Sequence, residues 1–173
     1  MPFVDRQEID APYAVGDCLE TRAAALVNPV SGLANDFLNV YNEILMLIEL
    51  LPTMPDLIDD VRAWRPASYR AYFMQSQLPG RQEAIEAYNA LEPRFRAVFE
   101  DHVERLAGDC LAFVDRVDYA ARRQASEALE LECARATARI RRQLDGLAQL
   151  VVFGRRNQGA DMQAMVSRVF SAA

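Results

Sequence analysis

Apolar positions recur along the second half of the chain as Phe95, Phe99, Val103, Leu106, Cys110, Val114 and Val117, three or four residues apart. That spacing lines one face of an α-helix. A second series runs Leu129, Cys133, Ala136, Ile140, Leu144, Leu147 and Val151. Its steps drift from a strict heptad, so a long left-handed coiled coil is not required. One unbroken rod over 94–152 would extend for about 85–90 Å at 1.5 Å per residue. A bend or antiparallel turn near Asp115 to Tyr119 is therefore expected, with Asp118 capping the second helix, although no Gly or Pro marks a turn there.

Upstream, the pattern is more broken. Ser31 reads as the N-cap of a strongly apolar helix over 32–51 that Pro52 ends. Thr53, in the joint Pro52-Thr53-Met54-Pro55, reads as the cap of a short helix reaching about Ala63. Pro66 suits the first turn of another, which Pro79-Gly80 breaks after about Gln77. Helical spacing resumes at Arg81, and Pro93 divides it by opening the next helix. Residues 1–30, punctuated by Pro2, Pro12 and Gly16, read as an arm with a possible short helix. Gly154 ends the last long helix, and Arg155 to Gly159 form a joint. Beyond it, Asp161 caps a short segment with Met162, Met165, Val166, Val169 and Phe170 on one face, suited to folding back on the bundle or docking on a partner. No alternating pattern with turn chemistry appears, so no sheet is expected. The predicted fold is an all-α bundle over 31–154, with one or two long C-terminal helices and short connecting helices, followed by a linker and amphipathic helix over 155–173.

Composition narrows the chemistry. The chain is 51% hydrophobic and 25% charged, ordinary for a globular protein and too apolar for disorder. Its richest apolar run, Ile44 to Leu51, is interrupted by Glu49, too short to span a bilayer. Met1 to Arg6 lacks the basic-then-apolar pattern of a secretory signal, so the expected location is cytoplasmic. Every basic residue is arginine, which GC-rich coding explains most simply and which excludes lysine Schiff bases and a phosphate-loop lysine. A net charge of −6 disfavours nucleic acid as a partner. Cys18, Cys110 and Cys133 are far apart and form no CxxC pair, so they read as buried hydrophobes and not as a disulfide or zinc framework.

Five features qualify as candidates for function. Asn35, Asn39 and Asn42 share one face of the 32–51 helix, continued by Met46 and Glu49 and flanked by Asp36 and Glu43. Asparagine is a poor helix former whose amide both donates and accepts, so the stripe is either a solvated seam or the wall of a polar pocket. A di-metal site would need Glu-x-x-His, and Phe99 stands where that Glu would be, ahead of the sole histidine, His102. Second, Arg62, Trp64, Arg65, Tyr69, Arg70, Tyr72, Phe73 and Arg81 crowd into twenty positions. Arginine with aromatics suits an interface, or a pocket for a planar or anionic ligand, or a plain core with arginines reaching to water. Third, His102 lies among Val98, Phe99, Val103 and Leu106, the setting of a satisfied core histidine. Fourth, Glu127, Glu130 and Glu132 precede Arg135, Arg139, Arg141 and Arg142, an order that complements the helix dipole, with Arg141 able to pair with Asp145. Fifth is the terminal amphipathic segment.

No nucleophile motif and no metal spacing is present, so neither a cofactor nor a metal is expected. The leading expectation is a non-enzymatic regulatory or adaptor protein that acts through protein contacts, most simply with itself. The alternative is a sensor or carrier in which the asparagine stripe lines a pocket and Arg65 or Arg70 holds an anionic group. An enzyme using His102 with a carboxylate is the third reading.

Overall fold

In the computed structural model, which describes residues 26–122 and 126–154, both long apolar series are helical. They form separate helices, α5 (Pro93–Arg122) and α6 (Ser126–Phe153), of 30 and 28 residues. Cross-helix pairs give their relative direction. Phe95 lies beside Gly154, Asp109 beside Arg139 and Gln143, and Arg116 beside Glu132. One number falls as the other rises, so the helices are antiparallel. Helix α5 runs unbroken through Asp115 to Tyr119, where a bend was expected, and continues to Arg122. Phe113, Val117 and Ala120 continue the buried stripe through that region, and Asp118 faces Arg62 instead of capping a helix.

Four shorter helices complete the bundle: α1 (Asn39–Leu50), α2 (Ile58–Ala63), α3 (Tyr69–Gln75) and α4 (Arg81–Asn89). The architecture is all-α, with two long C-terminal helices and short helices before them. Among the described residues no strand forms beyond an isolated bridge between Val27 and Ala34, and no helix is long and apolar enough to cross a membrane. The first 25 residues, the joint after Gly154 and the Asp161 to Phe170 segment lie outside the described residues, as does Cys18.

The entry into α1 differs from the expected helix over 32–51. Asn28 Oδ1 accepts from the Val30 and Ser31 amides, and Ser31 Oγ accepts from Leu33 N, making a tight loop instead of a helix cap. Gly32 closes that loop at φ 76, a conformation that disfavours any residue with a Cβ. Ala34 is extended, and its amide donates to the Tyr69 hydroxyl at 2.7 Å. Helical geometry therefore starts as a 3₁₀ turn at Asn35–Leu38 and becomes α only at Asn39. The exit also differs. The Thr53 hydroxyl donates back to Leu50 O, so it finishes α1, while Pro55–Leu57 form the 3₁₀ turn that opens α2. Pro66 lies ahead of α3 and not in its first turn; Ser68 caps the helix by accepting from Ala71 N. Pro93 does open α5, where the Glu92 carboxylate accepts from Phe95 N at 2.9 Å.

Packing converges on Phe37. Its ring centroid lies 5.8 Å from Tyr41, 5.2 Å from Tyr69, 6.0 Å from Tyr72 and 5.9 Å from Phe99. Tyr69 also stacks on Tyr88 at 4.6 Å. One aromatic cluster thus joins the 3₁₀ turn, α1, α3, α4 and α5. Such ring pairs are each worth about 0.5–1.5 kcal/mol beyond area burial. Charged pairs decorate the outside. Arg62 bridges α2 to Asp118 on α5, and Arg141 on α6 holds Glu49 on α1, not Asp145 as expected. Exposed pairs of this kind stabilise by about 0–1 kcal/mol, so the rings rather than the ions hold the short helices down.

Candidate functional site

The arginine–aromatic segment separates by chemistry when it folds. Trp64 and Tyr69 are core residues at 5% and 2% exposure. Trp64 Nε1 donates to Val40 O at 3.0 Å, which pins the loop after α2 to α1. Both rings are buried in the core, the plain-core alternative for these two residues. Tyr72 is half-buried, and Arg70 is exposed on α3. Arg62 places both Nε and Nη2 on Asp118 Oδ1 at 2.7 Å and Nη1 on Asp59 at 2.8 Å, so its guanidinium is committed to structure. Arg65 is held differently. Its Nη1 donates to the carbonyls of Arg62 and Trp64, both at 2.6 Å, and it makes no ion pair among the described residues.

The asparagine stripe also separates. Asn35 sits in the 3₁₀ turn and Asn42 on the outer face of α1, both exposed. Asn39 alone reaches a polar depression. It lies at the edge of a cleft of ≈ 440 Å³ between α1 and the stretch from Arg65 to Leu78, together with Asp36, Glu43, Arg65, Tyr72 and Gln75. Asn39 and Tyr72 line this cleft together. Burial pushes the Tyr72 phenol up, the Asn39 side chain opposes that shift, and the Asp36 carboxylate adds to it. Three of the residues singled out in the sequence, Asn39, Arg65 and Tyr72, are therefore brought to one place. Gln75, Ser76 and Leu78 complete the far wall and carried no sequence signal. A second cleft of ≈ 430 Å³ lies near the other side of Arg65, against Leu111, Val114 and Asp115 of α5.

No protein family, curated protein or solved structure matches this chain. The functional reading rests on its own residues.

The histidine and two of the cysteines sit in the core. His102 is 7% exposed, and its Nδ1 lies 2.7 Å from Val98 O, the bond of a core histidine within its own helix. Burial pushes the Cys110 thiol from 9.0 up to about 12, with the Asp109 carboxylate adding to the shift. Burial likewise pushes Cys133 up to about 11, assisted by Glu132. Tyr69 is raised to about 12 by burial, although the Ala34 amide bond opposes it. The two thiols and the Tyr69 phenol are neutral when protonated, and the folded state keeps their protons after the unfolded chain has lost them. Their stabilising effect is complete below the unfolded values and is lost as pH climbs toward the folded ones. Thermal stability is thus expected to hold from neutrality to about pH 9 and then fall steadily toward pH 11. Circular dichroism melts across that range check it, and a flat alkaline limb would refute these assignments.

A different feature lies on the outer face of α1. Met46 is 52% exposed, Leu50 39% and Met54 50%, spaced by four residues. Met54 N–H donates to Leu50 O at 2.9 Å, which keeps the row in line past the helix end. Sequence reading placed Met46 on the asparagine stripe but passed over Leu50 and Met54. The intervening Pro52 read as a break, whereas the backbone carries one more helical bond across it.

Proposed function

We propose that this protein works through contacts and not through chemistry, as a helical regulatory or adaptor protein that pairs with a second copy of itself along the outer face of α1. The observation that carries the reading is the exposed row Met46, Leu50 and Met54. Single exposed apolar side chains are common on any surface, but a line of them at helical spacing marks an interaction face. The row is the same read from either end, Met–Leu–Met about Leu50. A twofold axis at Leu50 therefore sets Met46 of one copy against Met54 of the other, the self-matching that a symmetric dimer requires. Methionine tolerates imperfect fit because its side chain is unbranched and polarizable. Glu49 borders the row, and its charge is already held by Arg141 of the same chain.

Replacing Leu50 with Glu tests the proposal. Leu50 is exposed enough for the fold to accept the change, while two carboxylates at the centre of a twofold contact repel. In sedimentation velocity the wild-type chain is expected to run as a dimer and L50E as a monomer, with the same helical circular dichroism. A wild type that stays monomeric at every concentration, or an L50E that associates as the wild type does, would remove the α1 face from consideration.

A further inference from the structure

We infer that the cleft between α1 and the Arg65 to Leu78 stretch is a binding site for a small zwitterion, a molecule of the free amino acid class with one ammonium and one carboxylate. Its volume of ≈ 440 Å³ falls within the range of small-molecule sites. The charges around it decide the ligand class. Asp36 and Glu43 supply two carboxylates and Arg65 one guanidinium, and none of the three forms an ion pair among the described residues. A simple anion, the ligand expected from Arg65 alone, meets two like charges here. A simple cation meets the guanidinium. A zwitterion satisfies both signs with one molecule.

The site is also held in shape before anything binds. The carbonyls of Arg62 and Trp64 fix Arg65 Nη1, leaving Nε and Nη2 as a directed pair of donors of the geometry that suits a carboxylate. Trp64 is itself anchored to α1 through Val40 O. On the opposite side the Tyr72 ring packs against Phe37, at 6.0 Å, and Phe73, at 4.9 Å. The Arg65 guanidinium and the Tyr72 ring are held before binding, so less entropy is lost in ordering them. The Tyr72 ring and hydroxyl border the Asp36 side of the cleft, where an ammonium would sit between carboxylate and aromatic face. Val40 and Leu78 add the apolar surface for a ligand side chain.

The proposal is independent of self-association, because the cleft and the Met46 row involve different residues. Its test is isothermal titration of the full chain with each common L-amino acid in turn, followed by the amide and the N-acetyl derivative of any that binds. At least one amino acid is expected to bind once per chain. Removing its carboxylate or its ammonium is expected to weaken binding about tenfold or more, the value of one charge-assisted bond. Arg65→Gln is expected to weaken the parent amino acid by a similar factor while leaving the affinity of the amide unchanged. Glu43→Gln, at an exposed position with no ion pair among the described residues, is expected to weaken the parent amino acid while leaving the affinity of its N-acetyl derivative unchanged. Binding by L50E that equals the wild type keeps this result separate from the dimer. The proposal is overturned if no amino acid binds the folded chain, or if the amide and N-acetyl forms bind as tightly as the parent.

Discussion

Phe37→Ala is expected to destabilise the fold by about 3–5 kcal/mol, the range for deleting a buried aromatic ring. Phe37 is 0% exposed, and four other rings pack on it from α1, α3 and α5. These rings belong to elements with different directions, so they cannot close together over the space left by one side chain. The loss is therefore expected at the upper end of the range. It also reaches the cleft, because Tyr72 leans on the same ring. Urea unfolding followed by circular dichroism measures it, with Met74→Ala as the comparison. Met74 is 67% exposed on α3, and its truncation is expected to change stability by no more than about 0.5 kcal/mol. A loss below about 1 kcal/mol for Phe37→Ala would mean that the aromatic cluster does not hold the short helices to the hairpin.

The second large effect concerns two glycines that only the fold distinguishes. A methyl group added at Gly154 would lie 2.2 Å from Cζ and 2.4 Å from Cε2 of Phe95. Phe95 is fully buried at the start of α5, so its ring can yield only by pushing on core neighbours. Gly154→Ala therefore pushes the end of α6 off the start of α5, and the expected loss is about 1–3 kcal/mol. A methyl group at Gly108, in the middle of α5, meets nothing within 4 Å. There the substitution only restricts the unfolded backbone and improves helix propensity, and a gain of about 0.5–1 kcal/mol is expected. Opposite signs in the two urea midpoints support the antiparallel register of α5 and α6. Equal effects would contradict it.

How far the fold was legible depended on whether information was local. The two apolar series are local periodic signals, and both helices follow from them. The turn between them was misplaced because a capping residue was sought at Asp118. That aspartate is instead required by Arg62, more than fifty positions earlier in the chain. The start of α1 was placed too early for a similar reason. Ser31 and an apolar run look like a capped helix, but Gly32 at positive φ and the Ala34 amide, claimed by Tyr69, delay it. In the arginine–aromatic segment the residue types were plain and their destinations were not. Trp64, Tyr69 and Tyr72 turn inward because α3 lies across the Phe37 cluster, a tertiary fact with no sequence counterpart. Asn39 stands in one stripe with Asn35 and Asn42, yet only Asn39 lines the cleft; Asn35 sits in the 3₁₀ turn and Asn42 is exposed on α1. Gln75 and Ser76 carry no signal of their own and become cleft residues only because α3 ends opposite α1.

Native mass spectrometry of the protein purified from its source cells tests the central claim, that this chain acts by pairing with itself, most directly. The account predicts a species of two chains, each of 19.5 kDa, that persists on dilution into the low micromolar range. A single chain at every concentration would contradict it.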